Sequence, residues 1–202
     1  MEKYSDLLNK LQTNMTIEGE VHKRFYHSLE VAKMALKLND HLRLNLDENK
    51  VYLAGILHDC AKLYEKGLLW NILLTISDKV NLSSVKEYPQ VWHSFAGSVI
   101  AKDVYGIDDE EILSAIFYHT TGNSNMTTLE KLIFVSDYIE ESRTGDWVLS
   151  ARKACFKGLD YGVEVVLRQM IEYLNSNDAS ICNLTLQAYN FYNRNGEKWL
   201  IK

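Results

Sequence analysis

The chain has one proline, ten glycines and three cysteines among 202 residues, and each shortage excludes something. A sandwich of many short strands needs frequent turns, which Pro89 and so few glycines do not supply. Collagen-like, linker-rich and disordered classes fall for the same reason. Cys60, Cys155 and Cys182 are widely spaced and odd in number, which suits a reducing compartment better than a disulfide framework. No apolar run reaches bilayer length, and MEKYSDLLNKLQ lacks the apolar stretch of a signal peptide. Basic runs are missing as well: 22 basic against 27 acidic residues leave a formal charge of −5, with no electrostatic footprint for duplex nucleic acid. The expectation is a cytoplasmic chain with neither a membrane nor duplex nucleic acid as partner. At 47% hydrophobic, it can bury a sizeable core.

What is present is helical periodicity. Tyr4, Leu7, Leu8, Leu11 and Met15 form one stripe; Leu29, Val31, Met34, Ala35 and Leu38 form a second. Asp47 is placed to cap a helix carrying Val51, Leu53, Ala54, Ile56 and Leu57. A looser apolar stretch from Leu68 to Val80 ends in NLSS, and Pro89 sits in a loop before WHSFAGSVIAKDVYG. Gly106 is placed to close that helix, Asp108 and Asp109 to open the next, and Thr127 or Thr128 to cap the one after TTGNSN. KLIFVSDYI reads as helix from its flanks. Two further helical patterns run from about Leu149 to Leu174 and from about Thr185 to Tyr192. With no internal repeat or linker, the reading is one all-α domain. The segment LLWNILLTISDKVNLSSVKEY and the first helix are each candidates for core or for a homodimer face.

The informative residues are ionisable groups at the edges of apolar helical runs. His58 and Asp59 follow LAGIL, His93 follows Val91 and Trp92, His119 follows AIFY, and Asp137 is embedded in LIFVSDYI. His27 lies in the second helix near Arg24. A buried carboxylate without a partner is very costly, so each aspartate calls for a cation, a hydrogen-bond network or a metal. Any one of these residues is ordinary; four histidines and two aspartates so placed suit a polar pocket inside a helical bundle. His22 and His41 have polar neighbours and are left out. Imidazole plus carboxylate favours borderline ions (iron, manganese, cobalt or zinc) over calcium and magnesium. Six donors exceed one tetrahedral shell, so two ions sharing a carboxylate is the economical reading, an arrangement suited to phosphoester and phosphoanhydride hydrolysis.

His27, His58-Asp59 and Asp137 resemble the H…HD…D signature of the HD-domain metallohydrolases. The stretches RFYHSLEVA, LAGILHDCAKLY, WHSFAGSVIAKDVYGI, ILSAIFYHTTGNSNMTTLEKLIFVSDYIEESR and TLQAYNFY resemble, in order, the YqeK-type bacterial symmetrical diadenosine tetraphosphate hydrolases. The resemblance implies an all-α HD helical bundle over 1–202. Its core would run from about 20 to 145, with C-terminal helices in 146–202 completing a nucleotide pocket. It also implies a dinuclear site, iron first among the candidate metals, and cleavage of diadenosine tetraphosphate to two ADP.

Carried over by position, His27, His58, Asp59 and Asp137 would hold one metal, and His93 and His119 the second, with Asp59 bridging. Asp59 and Lys62 would be catalytic: Asp59 orienting the attacking water, Lys62 meeting a phosphate oxygen. Substrate would be contacted by Arg24, His27, Asp59, Lys62, His119, Thr120, Asp137, Arg143 and the segment around Thr185. Two departures from the family pattern stand out: Cys60 replaces a common aromatic residue, and ICNLTLQAYN lacks the usual proline before its threonine. Two other activities fit the same donors. One is an HD nucleotidase or phosphodiesterase acting on mononucleotides, cyclic dinucleotides or guanosine alarmones; the other is a non-catalytic module binding a nucleotide or a ribosome-assembly partner.

Overall fold

Helix starts and stops follow the side chains that satisfy their free ends. In the computed structural model, which describes residues 4–193, α1 (Ser5–Asn14) leads into a two-residue hairpin, β1 (Thr16–Ile17) and β2 (Glu20–Val21). The hairpin was not expected. Its turn is Glu18-Gly19, both with positive φ (53° and 83°), the mirror-image turn that matches strand twist. α2 (Lys23–His41) is capped by His22, whose ring accepts from the Arg24 amide. α3 (Glu48–Leu57) is capped by Asp47 as expected, its carboxylate accepting from the Asn49 amide at 2.7 Å.

The Leu68–Val80 stretch is helical only in part. α4 (Lys66–Thr75) ends early, and NLSS, expected as an ending, begins a short helix, α5 (Leu82–Val85), because the Asn81 side chain accepts from the Ser84 amide. Pro89 takes the first position of a single 3₁₀ turn, Pro89–Val91, where its missing N–H costs nothing. α6 (Trp92–Asp103) then runs to a terminus closed by Gly106 at φ 68°. The Gly106 amide donates to Lys102 O and the Ile107 amide to Ala101 O, a nested pair of bonds each one residue wider than those of a Schellman ending, made possible by the left-handed glycine. α7 (Glu110–Tyr118) is capped by Asp109, and α8 (Thr128–Ile139) by Thr127 in a capping box with Glu130.

The pattern expected as one helix from Leu149 to Leu174 is two: α9 (Asp146–Lys157) and α10 (Leu159–Ser176). Gly158 breaks it with an extended backbone, and the halves fold back on each other. Gly162 makes this possible, since a β-carbon there would stand 2.6 Å from Cys155 Sγ. α11 (Asn183–Tyr192) packs on α10.

The chain is thus all-α apart from the hairpin. α2 packs on α3 and α8, α7 on α3, α6 and α8. Leu38, Ile56, Leu57, Phe95, Ile116, Leu132 and Ile133 are fully buried among them, each worth about 1.5–3 kcal/mol of transfer free energy. α1 joins this core through Leu11 and Met15, and the α4–α5 region through Leu69, Leu73, Val80 and Val85; Leu68 and Leu74 stay exposed. Among the described residues, no helix is long and apolar enough to cross a membrane. Residues 1–3 and 194–202 of the single domain expected over 1–202 lie outside the described residues.

Candidate metal centre

Helix ends bring the six ionisable residues together. α2 contributes His27 from its second turn, and α3 ends at His58 with Asp59 next. His93 opens α6, His119 closes α7, and Asp137 lies in the last turn of α8. Four imidazoles stand in a row, His27–His58–His119–His93, with ring centroids 5.3, 4.9 and 5.2 Å apart. Asp59 lies beside three of them: Oδ1 is 3.3 Å from His93 Nε2 and 3.5 Å from His119 Nε2, and Oδ2 is 3.7 Å from His58 Nε2. Asp137 Oδ1 is 2.9 Å from His27 Nε2 and 3.9 Å from His58 Nε2.

Local backbone geometry sets which nitrogen faces inward. His58 Nδ1 donates to Gly55 O and His119 Nδ1 to Ile116 O, both at 2.7 Å. A carbonyl can only accept, so Nδ1 carries the proton in each ring and Nε2 offers a lone pair to the centre. His58 Nε2 is fully buried, with no hydrogen-bond partner among the described residues. An unprotonated nitrogen left bare between two carboxylates, its ring fixed by a carbonyl on the far side, is what a metal-ligating histidine requires. The donors His27, His58 and Asp137 lie within 4.8 Å of one another, as do those of His58, Asp59 and His119. These residues fit divalent metal ions.

Electrostatics agree. Burial lowers His58 and His93 to about 4, against the pull of Asp59, so both rings are neutral near pH 7. Burial pushes Asp59 up, but His58 and the hydrogen bonds of His119 and His93 outweigh it and hold the carboxyl well below its ordinary range. Asp137 is likewise depressed: its burial is overcome by the His27 hydrogen bond and the charges of His58 and Arg143. His27 rises although burial opposes it, because Asp137 bonds its ring and Asp59 is near. Burial lowers Lys62.

The expected substrate contacts cluster here too, with one exception. Arg24 donates to Asp59 Oδ2 and Arg143 to Asp137 Oδ1, each at 2.9 Å. Lys62 Nζ is 3.0 Å from His93 Nε2, and Thr120 Oγ1 lies 3.1 and 2.9 Å from the Nε2 atoms of His93 and His119. Thr185 is buried on α11, and among the described residues no hydrogen bond or ion pair joins it to the cluster. Its helix lies against the loop after His119, where the Met126 amide donates to Tyr192 OH at 2.7 Å.

Sequence reasoning missed Glu140. Its buried carboxylate lies 3.3 Å from His27 Nδ1 and 3.7 Å from Arg143 Nε, and accepts from the Ser142 amide and hydroxyl. Arg152 was missed as well; it donates to the carbonyls of Ile139, Glu140 and Arg143 and so ties down the end of α8. The available signal was spacing, since Asp137, Glu140 and Arg143 recur every third residue.

A helical bundle that gathers imidazoles and carboxylates from its helix ends around one buried point is a metal-site fold of the HD type. The chain belongs to the HD domain family, whose pattern matches residues 24–142. Among curated proteins it is 36% identical, over 87% of its length and 90% of the relative's, to the symmetrical bis(5′-nucleosyl)-tetraphosphatase of Staphylococcus aureus. It is 31% identical to the protein of the same name from Bacillus subtilis, over 83% and 88% of the two chains. A crystal structure from Clostridium acetobutylicum, described as a predicted HD superfamily hydrolase involved in NAD metabolism, superposes with a TM-score of 0.84 at 31% identity, covering 94% of this chain and 96% of that one.

Proposed function

We propose that this chain hydrolyses diadenosine tetraphosphate symmetrically, releasing two ADP. One observation carries the reading: Asp59 turns one oxygen toward His93 and His119 and the other toward His58, so a single carboxylate can serve two adjacent ions. In this reading His27, His58, Asp59 and Asp137 hold one ion, and Asp59, His93 and His119 the other. Iron is the proposed metal, since a mixed imidazole and carboxylate set suits borderline ions. Bound there, the ions lower the pKa of water from about 16 toward about 7 and offset phosphate charge.

The protein's own groups supply alignment. The imidazole row has Arg143 at its His27–Asp137 end and Lys62 with Thr120 at its His93 end. A tetraphosphate lying along the row meets a donor at each end and keeps its middle at Asp59, which favours cleavage at the centre. Arg24 and Arg143 present guanidinium forks to phosphate oxygens. Lys62, its charge costly in this buried setting, gains most when a phosphate arrives. Asp59 orients the attacking water in line with the departing ADP.

A cytoplasmic location is the accompanying proposal, supported by three free, buried cysteines. Homodimerisation through the exposed Leu68 and Leu74 of α4 is another. The deciding experiment is hydrolysis of diadenosine tetraphosphate by protein purified with and without oxygen, with metal content recorded. ADP as sole product, lost in Asp59→Ala, is expected. AMP with ATP would overturn the symmetric register, and an untouched substrate in metal-loaded protein would transfer the site to mononucleotides or alarmones.

A further inference from the structure

A symmetric substrate has two identical ends, and the family resemblance assigns a segment, that around Thr185, to only one of them. The first two turns of α2 present two stripes. Arg24 and His27 face the metal-binding cluster. Lys23, Tyr26 and Glu30, spaced three and four residues apart, form the neighbouring stripe. Those five residues and Ser142 line a cavity of about 360 Å³. His27 therefore belongs to both the donor row and the cavity wall, so the cavity opens beside the row at its Asp137 end. α11 itself lies against the loop that follows His119 and Thr120, through Tyr192 at Met126 and Ala188 beside Gly122.

From this geometry, and resting on the activity proposed above, we infer that the Lys23–Tyr26–Glu30 cavity receives the second adenosine of the substrate. Tyr26 supplies the stacking surface. Its ring is braced edge-to-face on the largely buried Phe25, with centroids 5.7 Å apart, and 56% of the residue is open to solvent. An exposed aromatic beside a cationic phosphate site is how base stacking is combined with backbone charge in nucleotide-binding grooves. No hydrogen bond or ion pair holds the Lys23 ammonium among the described residues, and it stands at the start of α2 beside Arg24, placed for the ribose-proximal phosphate. Glu30, held by Lys33 at 2.7 Å, offers an acceptor to an exocyclic amine.

The test compares two substrates in the metal-loaded enzyme: diadenosine tetraphosphate, and adenosine 5′-tetraphosphate, which has a single adenosine. Tyr26→Ala is expected to raise KM for the first about fivefold more than KM for the second, with the loss in KM rather than kcat, the scale of one lost base stack. Tyr26→Phe keeps the ring and restores the wild-type ratio. An unchanged KM ratio in Tyr26→Ala overturns the subsite while leaving the activity intact. Failure of the wild-type enzyme to cleave diadenosine tetraphosphate overturns the activity itself, and the subsite with it. Tyr26 is half-exposed, so its replacement leaves the core in place.

Discussion

Glu140 Oε1 stands 3.3 Å from Nδ1 of His27, on the far side of the ring from Asp137. A carboxylate there makes Nδ1 the protonated nitrogen and leaves Nε2 free as a ligand. Glu140→Gln removes one of two acceptor oxygens, so the new amide must point a donor at either the Ser142 amide or His27. Metal affinity is expected to fall about 10–100-fold, read by titrating metal into stripped protein. Unchanged affinity would separate Glu140 from the orientation of His27.

Asp59→Asn tests the shared carboxylate. The amide is isosteric, but it carries no charge, and one of its two positions becomes an NH2 with no lone pair to offer an ion beside the Nε2 atoms of His58, His93 and His119. Bound metal is expected to drop from two ions per chain to one or none, and kcat by about 10²-fold or more. Elemental analysis beside turnover decides; two tightly held ions in this variant would move the bridge elsewhere.

Protonation of the site should set the acid stability of metal-stripped protein. His58 and His93 sit near 4 when folded against about 6.5 unfolded. Below pH 6.5 the unfolded chain therefore binds more protons at these two positions, and stability falls as pH drops toward 4, by up to about 1.4 kcal/mol per pH unit for each ring. His27 has the opposite sign: its raised value adds stability below pH 6.5 that is lost as pH rises through it. Two against one leaves a net loss on acidification. Below about pH 4, protonation of Asp59 and Asp137, both depressed when folded, adds to it. Urea midpoints at pH 5, 6 and 7 should rise in that order, and a flat series would refute the balance.

Which parts were legible in the sequence follows from how local each determinant is. Asp47, Asp109 and Thr127 cap within three residues of themselves, so their helices could be placed. The six ionisable donors showed because each interrupts an apolar run. The break at Gly158 did not show, since both halves carry helical periodicity and the fold-back depends on Gly162 meeting Cys155. Glu140 was hidden because it follows α8 in a polar stretch, EES, where a glutamate is ordinary; its burial comes from His27 and Arg152, over a hundred and twelve positions away respectively.

Gly55 links packing to the site. It faces Ala32 where α3 crosses α2, and a β-carbon at Gly55 would stand 2.6 Å from the Ala32 α-carbon. Gly55→Ala gains helix propensity of about 1 kcal/mol, but the obstacle is backbone, so the two helices must separate, at an overpacking cost of about 1–3 kcal/mol. α2 carries His27 and α3 ends at His58, whose ring hangs on the Gly55 carbonyl, so separation also spreads the donors. The variant is expected to melt several degrees lower, about 2–4 °C per kcal/mol for a chain of this size, and to bind metal more weakly. Gly67→Ala, in α4 with nothing within 4 Å of the added carbon, should hold or raise the melting temperature and leave metal binding alone. Equal behaviour of the two variants would mean that the α2–α3 crossing relaxes freely and does not set the spacing of the donors.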